Sequence, residues 1–497
     1  MSLNCSFSVC YNRASRRTIR SQMPAVPALS QSVINLCDKL RAKHAAGDFP
    51  AFISYIRFPR YRNLADDTKL ALDFPVTVLV GPNGGGKSSL LQALWGCPGQ
   101  SNLGNFWFST EIDPIVEGDG RPNCFIYGYK ISALNKHVEV LKTRIGKELN
   151  PNYWEPSRPI KSYGMTMLED MSDEEEPYRT KTRWRTLQKQ AVLLDFRRTM
   201  GAYDRYFWLG GDISPKALEE RKELIRRRAP HLKMALDNNA KSAIYHRVER
   251  VVVSRAINEA ELEAASYILG RKYIGGDYIR HNFYSIPGPT VRVRRASVQY
   301  SDAFAGSGET AVFITVMHVL SAKPGALILL DEPETSLHPG AQERLLKFLL
   351  CESLKNGHQI VFSTHSPAMV RGLPAEAIKV MQETASGRFI VGKVGSVSAA
   401  FTVLEHTAVD EIAVMVEDEL SAELIRMGLR AHQISPGANG APRIQVLAGG
   451  CDQAIKHIMP SSFIAGAKPY LLLDGDVLAG PDIAPPADLV GKMSAPK

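Results

Sequence analysis

One octet constrains this chain more than any other feature: Gly81-Pro82-Asn83-Gly84-Gly85-Gly86-Lys87-Ser88, which satisfies G-x-x-x-x-G-K-[ST]. Before it, Val76-Thr77-Val78-Leu79-Val80 has the β-branched apolar pattern of a buried strand; after it, Ser89-Leu90-Leu91-Gln92-Ala93-Leu94-Trp95 is helix-forming. A strand, a glycine loop and a helix in that order make a phosphate cradle. The glycines let backbone N–H groups close around β- and γ-phosphates, and the helix start adds the positive end of its dipole. Lys87 offers a point charge to those phosphates, and the Ser88 hydroxyl is a ligand for Mg²⁺. The expected contacts therefore run through Gly81, Pro82, Asn83, Gly84, Gly85, Gly86, Lys87, Ser88 and Ser89, with ATP and Mg²⁺ as the bound species.

Three further segments supply chemistry. Leu327-Ile328-Leu329-Leu330-Asp331-Glu332-Pro333 reads as a buried strand ending in two carboxylates. Asp331 suits Mg²⁺ opposite Ser88, and Glu332 is placed to orient or deprotonate an attacking water. Ile360-Val361-Phe362-Ser363-Thr364-His365 is another buried strand, and its closing histidine suits contact with a γ-phosphate. Lys87, Glu332 and His365 are thus the candidate catalytic residues. Ala305-Gly306-Ser307-Gly308-Glu309 opens an apolar helix over 310–320, and a small-residue loop at a helix start is an anion site. Ser307, Gly308 and Glu309 join the candidate nucleotide contacts.

In this order the motifs resemble the ABC-type ATPase superfamily, in the branch that holds SMC, RecF and the OLD (overcoming lysogenization defect) proteins. The resemblance covers residues 51–98 and 297–383. It implies an ATPase head that pairs with a second copy, the Ser307-Gly308 loop of one subunit completing the nucleotide site of the other. The stretch Asp331-Glu332-Pro333-Glu334-Thr335-Ser336-Leu337-His338-Pro339 is similar to the OLD branch, which implies that residues 336–338 lie between opposed sites. The glutamine loop of the superfamily has no clear counterpart, although residues 105–114 fall where it would be.

A last unit reads strand, helix, strand, helix, strand over 412–416, 420–429, 444–447, 452–458 and 470–473. Acids close its first and last strands: Glu417, then Asp474 and Asp476. Together they would form an oxygen-rich Mg²⁺ site able to polarise a phosphodiester. Val416-Glu417-Asp418-Glu419, Gly449-Gly450 and Leu473-Asp474-Gly475-Asp476 resemble the Toprim domain of OLD-family nucleases. The sequence stops at Lys497, soon after Asp476, so this domain is expected to be truncated or reduced to a docking unit.

The expected fold class is α/β: an ABC-type P-loop ATPase head with a large helical insertion, plus a small parallel α/β Toprim-like domain. At 497 residues the chain has room for two or three domains. Their expected bounds are 1–46, a tail and a helix over 29–46; 47–98, the first lobe with strands at 52–56 and 69–72; and 99–296, a helix-rich insertion with helices over 214–236 and 259–269. The second part of the head follows at 297–395 and the Toprim-like domain at 396–497. The first 22 residues lack acids and read as a disordered tail or a start codon placed too early.

No apolar run approaches the roughly 18 residues that span a bilayer. The seven cysteines are scattered without metal-ligand spacing, which fits a reducing cytoplasm. A net charge of +9 permits nucleic acid as a partner, with arginine-rich clusters at 13–20, 179–185, 226–228 and 292–295. The acidic run Asp173-Glu174-Glu175-Glu176 reads as a solvated loop.

Three functions stay open. One is a nuclease gated by ATP-driven pairing of heads, in anti-phage defence as the resemblance implies. Another is a sensor or scaffold ATPase that restrains a co-encoded effector. The last is a DNA-repair ATPase of the RecF/SMC kind.

Overall fold

The computed structural model describes residues 32–115, 117, 121–147, 150–393, 412–416, 418–432, 443–446 and 468–472. Its centre is a six-stranded sheet in the order Phe389–Lys393, Ile378–Glu383, Val76–Val80, Gln359–Thr364, Leu327–Asp331, Ala191–Leu194. Every neighbouring pair is parallel except the first. Val76–Val80 and Gln359–Thr364 are buried at every position, which is why they read as unbroken apolar runs rather than as alternation. Register brings Val80 level with Thr364, and Asp331 level with Ser363, so three neighbouring strands end together.

A five-stranded antiparallel sheet lies beside it, in the order Thr68–Ala71, Ile53–Arg60, Cys124–Ile131, Lys136–Lys147, Asn150–Ser157. One buried side chain ties the two sheets. Gln359 donates from Nε2 to the Ile53 carbonyl (2.8 Å) and accepts from the Ile53 N–H at 3.0 Å, as a neighbouring strand would.

The helices begin where sequence chemistry places them. Ser32 caps Val33–Ala45. Ser214 and Pro215 open Pro215–Asp237, which continues through Pro230 rather than stopping there. Asn258 and Glu261 form a reciprocal capping box at the start of Glu259–Leu269.

The stretch 99–296 is not the helix-rich insertion expected of it. Cys124–Ile131, Lys136–Lys147 and Asn150–Ser157 belong to the five-stranded sheet, and Ala191–Leu194 is an edge of the central one. Val251–Ala256, Gly275–His281, Gly288–Arg294 and Gln299–Ser301 form a separate four-stranded antiparallel sheet. The signal was an alternation masked by charge: Val138 and Val140 are buried while His137 and Glu139 interleave them. The acidic run is also more than a solvated loop. Glu175 pairs with buried Arg179 at 2.8 Å and with Lys136 at 2.9 Å.

Towards the C-terminus, Arg443–Val446, Ile412–Val416 and Lys468–Leu472 form a three-stranded parallel sheet in that order, with the helix Glu419–Ala431 after the central strand. The helix expected over 452–458, the acids Glu417, Asp474 and Asp476, and residues 1–31 lie outside the described residues.

Replacing Gln359 by Leu strands the buried N–H and C=O of Ile53. The expected cost is about 2–6 kcal/mol, from two unpaired backbone groups at about 1–3 kcal/mol each. Urea unfolding of Gln359→Leu measures it. An unchanged midpoint would mean that Gln359 does not join the sheets.

Candidate nucleotide site

The three strand ends deliver the loop Gly81–Ser88, the Asp331-Glu332 pair and His365 to one edge of the central sheet. This is the carboxyl edge, where α/β sheets take their ligands. In the loop Gly84 and Gly86 hold φ of +76° and +88°, a backbone that favours glycine. The helix Lys87–Trp95 starts with no side-chain cap on its first N–H groups. An uncapped helix start beside an open glycine loop fits a phosphate. Ser88 is exposed on that first turn.

Lys87 is only 5% exposed. Its Nζ donates to the carbonyls of Gly81 and Pro82, both at 3.0 Å, and meets His365 Nε2 at 2.8 Å. An ammonium only donates, so Nε2 accepts and the His365 proton sits on Nδ1. Burial pulls the Lys87 pKa down, and the carboxylates of Glu332, Asp331 and Glu334 oppose that shift. Burial, and then the Lys87 charge, pushes His365 below its ordinary value.

Ser363 fixes the two acids. Its hydroxyl donates to Asp331 Oδ1 at 2.6 Å and accepts from the Glu332 N–H at 3.0 Å. Glu332 sits at φ +50°, a strained position for a residue with a Cβ, and its Oε1 lies 3.4 Å from His365 Nε2. Lys87 Nζ and the Glu332 carboxylate thus flank His365 Nε2, a chain of contacts in which the Lys87 link is the hydrogen bond. Glu334, buried behind it, accepts from Thr364 Oγ1 (2.5 Å) and the His365 N–H (2.9 Å), and burial raises its pKa.

The Ser307-Gly308-Glu309 loop is not part of this cluster: no hydrogen bond joins it to residues 81–89 among the described residues. It packs elsewhere. A Cβ on Gly308 would stand 2.4 Å from the Ser336 carbonyl oxygen, so only glycine fits against that loop. Ser307 and the N-cap Gly306 are exposed. The Glu309 carboxylate, expected among the nucleotide contacts, is instead held by Tyr273 (2.5 Å) and Tyr300 (2.7 Å).

Sequence reasoning missed Arg62, Asn63, Ser363 and Glu334. Arg62 donates to Ser89 Oγ at 2.9 Å and lies over Trp107, while Asn63 donates to the Gly84 carbonyl at 3.0 Å. Arg62, Arg60, Arg388, Trp107 and Asn123 line a cavity of about 390 Å³ beside the loop. Ser363 and Thr364 were legible as hydroxyls interrupting a buried apolar strand. Tyr61-Arg62-Asn63 carries no local signal.

Residues 76–371 match the family described as "AAA domain, putative AbiEii toxin, Type IV TA system". The chain belongs to this family. Its ATPase domain thus covers the loop, the acid strand and the histidine strand. The chain is 24% identical over 355 residues to a protein named OLD nuclease from Thermus scotoductus, a match that covers 64% of this chain and 60% of that protein. The chain therefore spans only about 60% of the curated relative's length. Among solved structures it is similar to an SMC head domain from Thermotoga maritima (TM-score 0.35, 14% identity, 69% of this chain and 99% of that one). A Pyrococcus furiosus Smc head with an extended coiled coil, bound to the C-terminal domain of ScpA, scores 0.36 at 14% identity over 71% and 98%. Scores of this size carry no argument about activity. No helix of the described residues is long and apolar enough to cross a membrane.

His365 gives a pH test. Its folded value lies below its unfolded one, so unfolding takes up a proton and stability is lost as pH falls through the ordinary histidine value of about 6.5. Glutamine does not titrate. The urea stability advantage of the nucleotide-free protein over His365→Gln should shrink between about pH 7.5 and 5.5. A pH-independent difference would contradict an imidazole whose charged form the folded protein disfavours.

Proposed function

We propose that this chain is an ATP-driven switch whose heads pair around nucleotide and gate a metal-dependent nuclease in the C-terminal unit. The observation that carries the ATP part is the Lys87–His365–Glu332 chain at the ends of three adjacent strands. In this reading the N–H groups of Gly81–Ser88, with Lys87 and Ser89, hold the β- and γ-phosphates, and His365 contacts the γ-phosphate. Lys87 turns from the Gly81 and Pro82 carbonyls to do so. Glu332, at the strand's end beside His365, orients or deprotonates the attacking water. Ser88 and Asp331 would hold Mg²⁺, which neutralises charge on the phosphates when bound.

Ser307 and Gly308 belong to the pairing face, each completing the site of a second copy. The exposure of Ser307, beside a Gly308 packed tightly on the Ser336 carbonyl, supports this. Glu309 then supports that loop from behind rather than touching nucleotide. The domain bounds stay 47–98 with 297–395 for the head and 396–497 for the C-terminal unit, with the strands of 124–157 and 191–194 assigned to the head as well.

The nuclease part rests on the parallel sheet and on the relative named OLD nuclease. Val416 pairs with Leu472 and with Val446. In the sequence Glu417 follows Val416 directly, and Asp474 and Asp476 come shortly after Leu472. These acids would bind a second Mg²⁺ and take nucleic acid as substrate, in a Toprim-like manner and in anti-phage defence. The family description, which names a toxin and a type IV system, supports a second reading: a sensor or scaffold ATPase restraining a separate effector protein.

Lys87→Ala should lose ATP binding. Glu332→Gln should keep it, slow turnover by at least about 100-fold and accumulate as an ATP-bound dimer on size exclusion. Normal turnover in Glu332→Gln would remove its role. Plasmid cleavage with Mg²⁺ or Mn²⁺ should vanish in Asp474→Ala/Asp476→Ala. No cleavage by wild-type protein that hydrolyses ATP would discard the nuclease and favour the effector reading.

A further inference from the structure

Three of the arginines that cluster in the sequence are neutralised within the chain. Arg179 pairs with Glu175, Arg226 with Glu219 and Glu223, and Arg292 with Asp237 and Asp277. A hairpin formed by Ile244–Tyr245 and Val248–Glu249 is different. Arg228, Lys241, Arg247 and Arg250 belong to it or pack beside it, and none has an ion-pair partner among the described residues. Arg228 donates to the Phe283 carbonyl (2.6 Å) and Ser285 Oγ (3.2 Å), and Arg250 to the carbonyls of Tyr245 and Asn282 at 3.3 and 3.4 Å. Neutral acceptors leave both charges uncompensated. The two guanidiniums lie 5.8 and 5.9 Å from the Tyr245 ring, which fixes them against the hairpin.

The hairpin's one acid is exposed beside Ile244 but is held by the hairpin's own base. Glu249 accepts from Ser242 Oγ and from the N–H groups of Ala243 (2.8 Å) and Val251 (2.9 Å), clamping the base of the hairpin. The tip is built against its own backbone preference. His246 and Arg247 hold φ of +52° and +61°, both positive as a two-residue type I′ turn requires, a place where Asn-Gly is favoured. Beside them Ile244 is 73% and Val248 44% exposed. A strained basic tip flanked by exposed apolar side chains does nothing for the core.

We propose that this hairpin is a duplex nucleic-acid contact that enters a groove. Arg247, Lys241, Arg228 and Arg250 meet phosphates, and Ile244 and Val248 lie against sugars and base edges. Uncompensated guanidiniums around an apolar wedge are the chemistry of groove binders. The proposal rests on the nucleic-acid part of the function above and not on the ATP part.

The test uses the full chain and a labelled DNA duplex of about 40 base pairs. His246→Asn/Arg247→Gly gives the turn the residues its backbone favours, so the melting temperature should hold or rise. Affinity should fall roughly tenfold at about 150 mM salt, and the slope of log K against log salt should lose about one unit. Should that variant melt early, Arg247→Gln reads the same two quantities. Equal affinity and slope in wild type and variant would overturn the hairpin assignment while leaving the nucleic-acid reading intact. A wild-type protein that hydrolyses ATP but does not bind the duplex would overturn both. Binding of polyglutamate in place of DNA would also overturn the proposal, in favour of an acidic protein partner.

Discussion

Everything at the nucleotide edge depends on the parallel register of Val76–Val80, Gln359–Thr364 and Leu327–Asp331. These segments come from distant parts of the sequence, yet pairing of Val80 with Thr364 and of Asp331 with Ser363 ends them at one level. Ser363 reads that register chemically. Only in this alignment does its hydroxyl meet both the Asp331 carboxylate and the Glu332 N–H. A slip of one residue would turn Ser363 to the other face of the sheet and release both acids. The register therefore positions the acids as well as the strands.

Polar groups inside the head follow the same logic. Gln359 closes the seam to the antiparallel sheet, and Glu334 anchors Thr364 and the His365 backbone from below. Each lies buried, where an unpaired polar group costs about 1–3 kcal/mol, so each fixes its partner firmly. Backbone strain collects on the opposite side of the acids. Glu332 at φ +50° and Ser336 at φ +64° bracket the turn after the strand, at about 1–3 kcal/mol apiece. The rear of this edge is tightly hydrogen-bonded, and its backbone strain sits in the turn 332–336.

The sequence made the strands of this edge legible because they are buried on both faces and end in chemically distinctive residues. The loop at 81–88, the acids 331–332 and His365 were all found where apolar runs stop. The strand Lys136–Lys147 was not, because its outward positions carry Lys, Glu and His and so resemble loop, and Cys124–Ile131 was missed although it is buried at all but Lys130. Nor could periodicity show that Ala191–Leu194 returns to the central sheet, since an edge strand of four residues has no pattern of its own. Arg62 and Glu334 escaped for a different reason. Their roles come from contacts across the fold, to Ser89 and to Thr364, that no spacing encodes. Glu309 adds a role that its place at a helix start does not signal: its carboxylate brackets two tyrosines.

That bracket explains how the four-stranded sheet can matter to the head. Glu309 on the helix Ser307–Ser321 binds Tyr300, and Tyr300 lies in the strand Gln299–Ser301, which is hydrogen-bonded to Gly288–Arg294. From there the ladder runs through Gly275–His281 to Val251–Ala256, directly after the basic hairpin. Tyr273 adds a second bond to Glu309 and packs edge-on against Phe313 of the same helix. A shift at the start of that helix must either carry the sheet with it or break two O–H···O bonds to a carboxylate. Hydrogen bonds to a charged group are worth about 1.5–3 kcal/mol each, so the bracket couples helix and sheet firmly. The start of the helix Ser307–Ser321 and the basic hairpin are thus two ends of one hydrogen-bonded body.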